Sequence, residues 1–326
     1  MMRKMLYRDA LTEAMREEML RDQSVIIMGE DVGLYGGGFL ATDGLIEEFG
    51  DKRVLDTPVS ETAFVGTAVG AAMTGMRPVV ELMFSDFMAV CWDQIMNEAA
   101  KMHFLYNRNV PMVIRTAAGA GTGAAAQHSQ SLENMYAHVP GLKVVVPSTP
   151  YDAKGLLKSA IRDNNPVIVL EQKLLYKTEG EVPEEEYIVP IGKAVIRQSG
   201  SDVSIISYGR MMLDCAEAVK TLGEEGISAE LIDLRSISPL DKETLLSSVR
   251  KTGRAVIVHE AVTFGGFGGE LAAIIADEAF DALKAPVKRV GAAYCPIPCA
   301  TQEEHNVFPD ALSIAEAARS VVKYGR

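Results

Sequence analysis

Along the chain, short unbroken apolar runs alternate with longer stretches in which apolar residues return every third or fourth position. Leu11, Met15 and Met19 mark one helix face, and the pattern predicts a first helix across the opening "MMRKMLYRDALTEAMREEML". "VIIMG" (25–29) is apolar at successive positions and ends in glycine, as a parallel strand buried on both faces does. "RVLD" (53–56), "RPVVELMF" (77–84), "VPMVIRT" (110–116), "KVVVP" (143–147) and "PVIVLE" (166–171) read as further strands. Between them the pattern predicts a helix of small residues opening at Ser60, a long helix over 87–105 and a helix from Tyr151 to Arg162. Strands separated by helices of this length form a parallel sheet with helices on both faces.

The rhythm breaks over Lys173–Pro190, where "KTEGEVPEEEY" is charged and keeps neither period, so the segment reads as a linker. A second alternation follows, with strands at "DVSIISYG", "AELIDL", "AVIVHE" and "PVKRVGA" and helices starting near Arg210, Asp241, Gly265 and Pro309. The expectation is two α/β domains with parallel sheets, residues 1–185 and 186–326.

Ligands of such sheets lie beyond the carboxyl ends of the strands. There the chain places "GED" with Glu30, "DTPVSE" with Glu61, "MFSDF" with Phe87 and "GAGTGAAAQHSQ" with His128. Each has a plainer reading. Glu61 could complete a capping box with Thr57 or Ser60. Alternatively, set against the dry helix "AFVGTAVGAAMTG", it is a carboxylate whose pKa burial would raise, suited to sharing a proton with a ligand nitrogen. Phe87 could be core or a stacking surface. Gly119, Gly121 and Gly123 could let the backbone approach a phosphate, but the Lys-Ser/Thr ending of a phosphate-binding loop is absent. His128 could be an ordinary surface histidine, its tautomer held by Gln127, Ser129 or Gln130.

Composition narrows the classes. The 326 residues carry 44 acidic and 32 basic side chains, a net charge of −12, which argues against a general binder of nucleic acid or anionic membrane. No apolar run is long enough to cross a membrane, and the opening residues lack the apolar heart of a targeting signal. Cys91, Cys215, Cys295 and Cys299 form no Cys-x-x-Cys pair, which fits free thiols in the cytoplasm and leaves no cluster for an iron–sulfur oxidoreductase. Cys295, Cys299 and His305 lie close in sequence, yet they lack a fourth ligand and stand among prolines, as an irregular turn does. A GDG motif followed by asparagines, which would hold magnesium and a diphosphate, is also missing.

The stretches "MGEDVG", "RVLDTPVSE", "GAAMTGMRPVVELMF", "AAAQHSQS", "HVPGLKVVVPSTPYDAKGLLKSAIRDNNPVI" and "SPLD" resemble the beta subunits of the thiamine-diphosphate-dependent first component of 2-oxo acid and acetoin dehydrogenase complexes. "ELMFSDF" and "KLLYKTEGEVPEE" resemble the acetoin branch in particular. The resemblance implies a pyrimidine-binding domain followed by a transketolase C-terminal-like domain. It implies an α2β2 tetramer, in which the alpha subunit grips the diphosphate and magnesium while this chain holds the aminopyrimidine. Glu61 would then face a pyrimidine ring nitrogen and share its proton, Phe87 would stack on that ring, and Glu30 would stand behind. His128 would handle protons as the two-carbon unit passes to the lipoyl group of the acyltransferase component, from an open loop that admits the lipoyl arm. The resemblance also implies potassium at Met112, Ala160, Ile161, Asp163 and Asn165. The implied reaction is cleavage of acetoin with transfer of the acetyl unit to lipoamide, with pyruvate or a branched-chain 2-oxo acid as the alternative substrate. A non-catalytic scaffold subunit is the reading from another class.

Overall fold

The structure is a computed structural model and describes residues 1–325. Strand β1 (Met2–Leu6) leads into the Tyr7–Arg21 helix. Then follow β2 (Val25–Gly29), β3 (Val54–Asp56), β4 (Arg77–Leu82), β5 (Val113–Ala118), β6 (Lys143–Val145) and β7 (Val167–Gln172). After β8 (Glu179–Pro183), the second half adds β9 (Val195–Gln198), β10 (Val203–Ser207), β11 (Ala229–Asp233), β12 (Ser236–Ser238), β13 (Ala255–Val262) and β14 (Lys288–Ala292).

The first sheet has seven strands in the order β12-β6-β7-β5-β4-β2-β3. Its strands β2 to β7 are parallel, and β12, contributed by the second half of the chain, runs antiparallel along the β6 edge. The second sheet has five strands in the order β14-β13-β10-β11-β9, with only β9 antiparallel. The apolar strand runs divide as side-chain alternation requires. Ile27 and Val113 face one core, shared with Leu11, Met15, Leu156 and Leu157 of the flanking helices. Their neighbours Met28 and Ile114 face a core that continues into Ile206, Ile232, Ile257 and Phe267 of the second half. The two α/β units are therefore joined by one continuous apolar interior.

Three expectations need correction. The opening residues do not all enter the first helix, because Met2–Leu6 is a strand. Its partner is β8, antiparallel, with Met2 opposite Pro183 and Leu6 opposite Glu179. The Lys173–Pro190 stretch is therefore ordered, anchored by buried Lys173, Leu175, Tyr176 and Val182. One apolar position in a charged five-residue strand is too weak a period to read. The expected long helix over 87–105 is broken into a 3₁₀ turn at Ser85–Ala89, a π-helical turn at Gln94–Ala99 and a short α-helix at Met102–Tyr106. Such wide turns are frequent beside functional sites.

Arg115 lies in the middle of the first sheet and is 1% exposed. Its Nε and Nη2 each donate at 2.8 Å to the two oxygens of Glu171 on β7, and Nη1 donates at 2.8 Å to Glu81 on β4. The Tyr176 hydroxyl donates to Glu171 Oε2 at 2.8 Å. On the far side the Gly38 N–H donates to Glu81 Oε1 at 3.2 Å. Gly37, at φ +80°, lies so close that a Cβ there would come within 2.6 Å of that oxygen. This contact explains the glycines of "LYGGGF": the loop after β2 must lie flat on a buried carboxylate.

Candidate active site

Strand order assembles the site. Glu30 follows β2, Glu61 opens the Glu61–Met73 helix after β3, Phe87 lies in the turn after β4 and His128 in the loop after β5. Since β3, β2, β4 and β5 are neighbours in that order, these residues line one rim of the sheet.

Glu61 is half-buried at the helix start. The capping-box explanation fails, because the Ser60 side chain makes no cap bond and Thr57 Oγ1 is buried without a partner. Among the described residues the Glu61 carboxylate has no hydrogen-bond or ion-pair partner. Behind it, Glu30 Oε1 is buried and likewise unpartnered. Burial raises the Glu30 pKa first, and the charges of Glu61 and Asp31 add to the effect. The carboxyl that its surroundings push toward the protonated form is thus Glu30, held there partly by Glu61. The Cys91 thiol is pushed up to about 12 by burial and then by the Glu61 charge. Thr62 Oγ1 ties the Glu61 helix to the turn that carries Phe87 by donating to the Val90 carbonyl at 2.8 Å.

Phe87 and His128 meet directly. The rings are edge-to-face with centroids 5.3 Å apart, and Phe84 completes the corner at 4.9 Å from His128 and 5.5 Å from Phe87. His128 is therefore half-buried in an aromatic corner and not in an open loop. Small neighbours on a loop signal backbone approach, and here the approach is to the protein's own rings. Gln130 does not hold its tautomer, since Nε2 donates to Asp86 at 2.8 Å, and Ser129 Oγ is buried without a partner. Neither ring nitrogen of His128 is engaged among the described residues. A residue the sequence reading missed, Lys173, donates from Nζ to the His128 carbonyl and stands 5.4 Å over the Phe84 ring. Burial lowers its pKa.

The glycine loop is not free for a phosphate. The N–H groups of Ala120, Gly121 and Gly123 donate to the carboxylates of Glu260 and Glu304. The Cys295, Cys299 and His305 group does not converge either. Cys299 Sγ donates to the Gly123 carbonyl at 3.3 Å, His305 Nδ1 pairs with the Thr301 carbonyl at 2.8 Å, and no metal-holding group of three such side chains exists among the described residues. His259, read as structural, is buried with Nδ1 donating to the Ala261 carbonyl at 2.9 Å, and burial lowers its pKa to about 4.

The backbone oxygens expected for potassium stand as follows. The Met112 carbonyl accepts from Val167 N–H at 3.1 Å and the Ala160 carbonyl from Asp163 N–H at 3.2 Å. The Ile161 and Asp163 carbonyls converge on Nη1 of Arg77, each at 2.9 Å, and Asn165 N–H donates to Asp163 Oδ1 at 2.9 Å. Two of the five expected positions are thus already engaged by a guanidinium, and the Asp163 side chain is ion-paired with Lys143.

A pair of carboxyl groups with no partner, on the same rim as an aromatic ring and a histidine with free nitrogens, would suit a flat ring that carries hydrogen-bond donors. Comparison with known proteins agrees in kind. Residues 3–179 match the transketolase pyrimidine-binding domain and residues 192–314 the transketolase C-terminal domain. The architecture is thus that of a transketolase-type protein. A solved split-gene transketolase, described as an inactive beta4 tetramer, shares the fold at a TM-score of 0.81 and 23% identity, over 98% of this chain and 99% of that one. The chain is 50% identical to the beta subunit of acetoin:2,6-dichlorophenolindophenol oxidoreductase from Cupriavidus necator, across the full length of both. It is 47% identical to the beta subunit of 2-oxoisovalerate dehydrogenase from Bacillus subtilis, over 88% of each. It is 45% identical to the beta subunit of the pyruvate dehydrogenase E1 component from Rickettsia felis, over 97% of this chain and 98% of that one. The chain belongs to the beta subunits of the thiamine-diphosphate-dependent acetoin and 2-oxo acid dehydrogenases. Among the described residues no helix is long and apolar enough to cross a membrane.

Proposed function

We propose that this chain forms the pyrimidine side of a thiamine diphosphate site whose diphosphate and magnesium are gripped by an alpha subunit, in an α2β2 assembly of the cytoplasm. The reaction is cleavage of acetoin, with the acetyl unit passed to the lipoyl group of an acyltransferase component. The observation that carries the reading is the unpartnered Glu30–Glu61 pair set beside the Phe87–His128 corner.

The cofactor, when bound, supplies a nucleophilic thiazolium carbon. This chain's residues prepare and serve it. The Glu61 carboxylate holds a proton shared with a pyrimidine ring nitrogen. Glu30 stands behind Glu61, its pKa raised by burial and then by the charges of Glu61 and Asp31. Phe87 and Phe84 exclude water from that edge and orient the flat ring. A free ring nitrogen of His128 takes and returns a proton during acetyl transfer, help of a kind worth ~10²–10⁴-fold in rate. Potassium, bound by the Met112, Ala160, Ile161, Asp163 and Asn165 set, would brace the end of the Pro150–Arg162 helix.

Acetoin is favoured by one relative, at 50% identity over the full length, against 47% for 2-oxoisovalerate and 45% for pyruvate; a second acetoin relative, from Bacillus subtilis, stands at 45%, so turnover has to decide. The test is dye-linked turnover of the chain assembled with its alpha subunit, run in KCl and in LiCl. The expected result is a kcat/KM for acetoin above that for pyruvate by ~10-fold or more, with a higher unfolding temperature in KCl. Preference for pyruvate or the branched-chain acid would reassign the substrate, and equal stability in both salts would remove the potassium.

A further inference from the structure

The His128 loop is gripped from the second half of the chain. Gly121 N–H donates to Glu304 Oε1 at 2.8 Å, and Gly123 N–H donates to Glu304 Oε2 at 3.0 Å. One residue earlier, Ala120 N–H donates to Glu260 Oε1 at 2.7 Å. Glu304 is 0% exposed. Glu260 is also buried, but it has Arg210 Nε at 3.1 Å for charge balance. Glu304 has no ion-pair partner among the described residues, although its charge acts on the Lys173 ammonium and opposes the lowering of that group's pKa. Among the described residues its carboxylate has only those two loop amides as hydrogen-bond partners. A buried carboxylate without a direct ion pair is a destabilising element, tolerated where its hydrogen bonds are satisfied. Here both oxygens are satisfied by the backbone N–H groups of two left-handed glycines, at φ +97° for Gly121 and +67° for Gly123.

What the grip controls is read along the loop. From Ala124 to Gln127 no side chain makes a hydrogen bond; the segment is closed by the His128 N–H donating to the Ala125 carbonyl at 3.3 Å, and the His128 carbonyl is held by Lys173. Side-chain anchors thus flank His128: Glu304 and Cys299 upstream, Lys173 at the residue itself, and Asp86 on Gln130 just beyond. Removing the Glu304 anchor would let the segment from Gly121 to Gln127 rearrange and carry the ring out of its Phe84–Phe87 corner.

We propose that Glu304 is the positioning residue of His128, so that a carboxylate of the second domain sets the reactivity of a first-domain histidine. The inference rests on the proton-handling reading of His128. Neither side chain touches the other; the effect travels through two backbone amides.

The test uses the chain assembled with its alpha subunit. Glu304→Gln keeps the shape but turns one acceptor into a donor facing a donor. Expected are faster amide exchange over residues 119–128, by about 10-fold or more, and a similar fall in kcat for a lipoyl acceptor with KM unchanged. The double variant Glu304→Gln with His128→Gln should be no slower than His128→Gln alone, since both act on one step. Glu304→Asp, which retains two acceptors, should recover part of the loss and is carried through the same measurements if the glutamine variant fails to assemble. Unchanged exchange over the loop, or independent multiplication of the two kinetic losses, would overturn the inference. Full activity of His128→Gln would remove the reading beneath it, which the exchange data report separately.

Discussion

Glu61→Gln in the assembled enzyme lowers acetoin turnover by ~10²–10⁴-fold and shifts the free energy of unfolding by no more than about 0.5 kcal/mol. The asymmetry follows from the site. Glu61 is half-buried and has no partner in the chain, so its neutralisation breaks no bond of the fold. What is lost is a group able to exchange a proton. Glutamine still accepts and donates hydrogen bonds but cannot take the proton up. A second consequence is specific to this geometry: Glu30 loses the neighbouring charge that helps to raise its pKa, so its carboxyl ionises at lower pH in the variant. Steady-state rates, urea unfolding and carboxyl titration by NMR check the three parts. An unchanged rate would leave the chain a scaffold that keeps the fold without the chemistry.

Arg115→Met gives the largest loss of stability, about 3–5 kcal/mol, read from the urea midpoint. The substitution keeps much of the volume but leaves two carboxylates buried in the sheet with no cation. Glu171 keeps only the Tyr176 hydroxyl at 2.8 Å, and Glu81 keeps the Gly38 N–H at 3.2 Å. Adding Glu81→Gln and Glu171→Gln removes the stranded charges and should recover most of the loss, since the cost comes from unpaired charge and not from the missing arginine. No recovery would mean that the guanidinium contributes through packing. The same cluster supports β4, β5 and β7, whose ends carry Phe87, His128 and Lys173, so the single variant should also lose activity before it unfolds.

The rim of the first sheet was legible because its signal is local. "MGEDVG", "TPVSE", "MFSDF" and "AAAQHSQS" each sit one turn past a strand, and parallel strands bring their carboxyl ends together whatever the intervening helices do. The small-residue helix behind Glu61 was legible for the same reason. What escaped has causes that spacing cannot carry. β1 and β8 pair across the whole first domain, and each shows only a fragment of a two-residue period. The glycine loop carried the mark of close backbone approach, but the carboxylates it meets lie 140 to 183 residues downstream. Lys173 stood in a segment read as linker, because its charge suggested solvent; its place under the loop is set by β7 being the neighbour of β5. The stretch over 87–105 has helical composition throughout, which does not distinguish a continuous α-helix from the broken one with a π-helical turn at Gln94–Ala99.

At the centre stands a division of labour: this chain supplies the proton-sharing carboxylate, and a companion chain grips the diphosphate. Calorimetric titration with thiamine diphosphate and magnesium, on the isolated chain and on its mixture with the alpha subunit, tests this most directly. Saturable, magnesium-dependent binding is expected only in the mixture. Tight binding and full turnover by the isolated chain would contradict it.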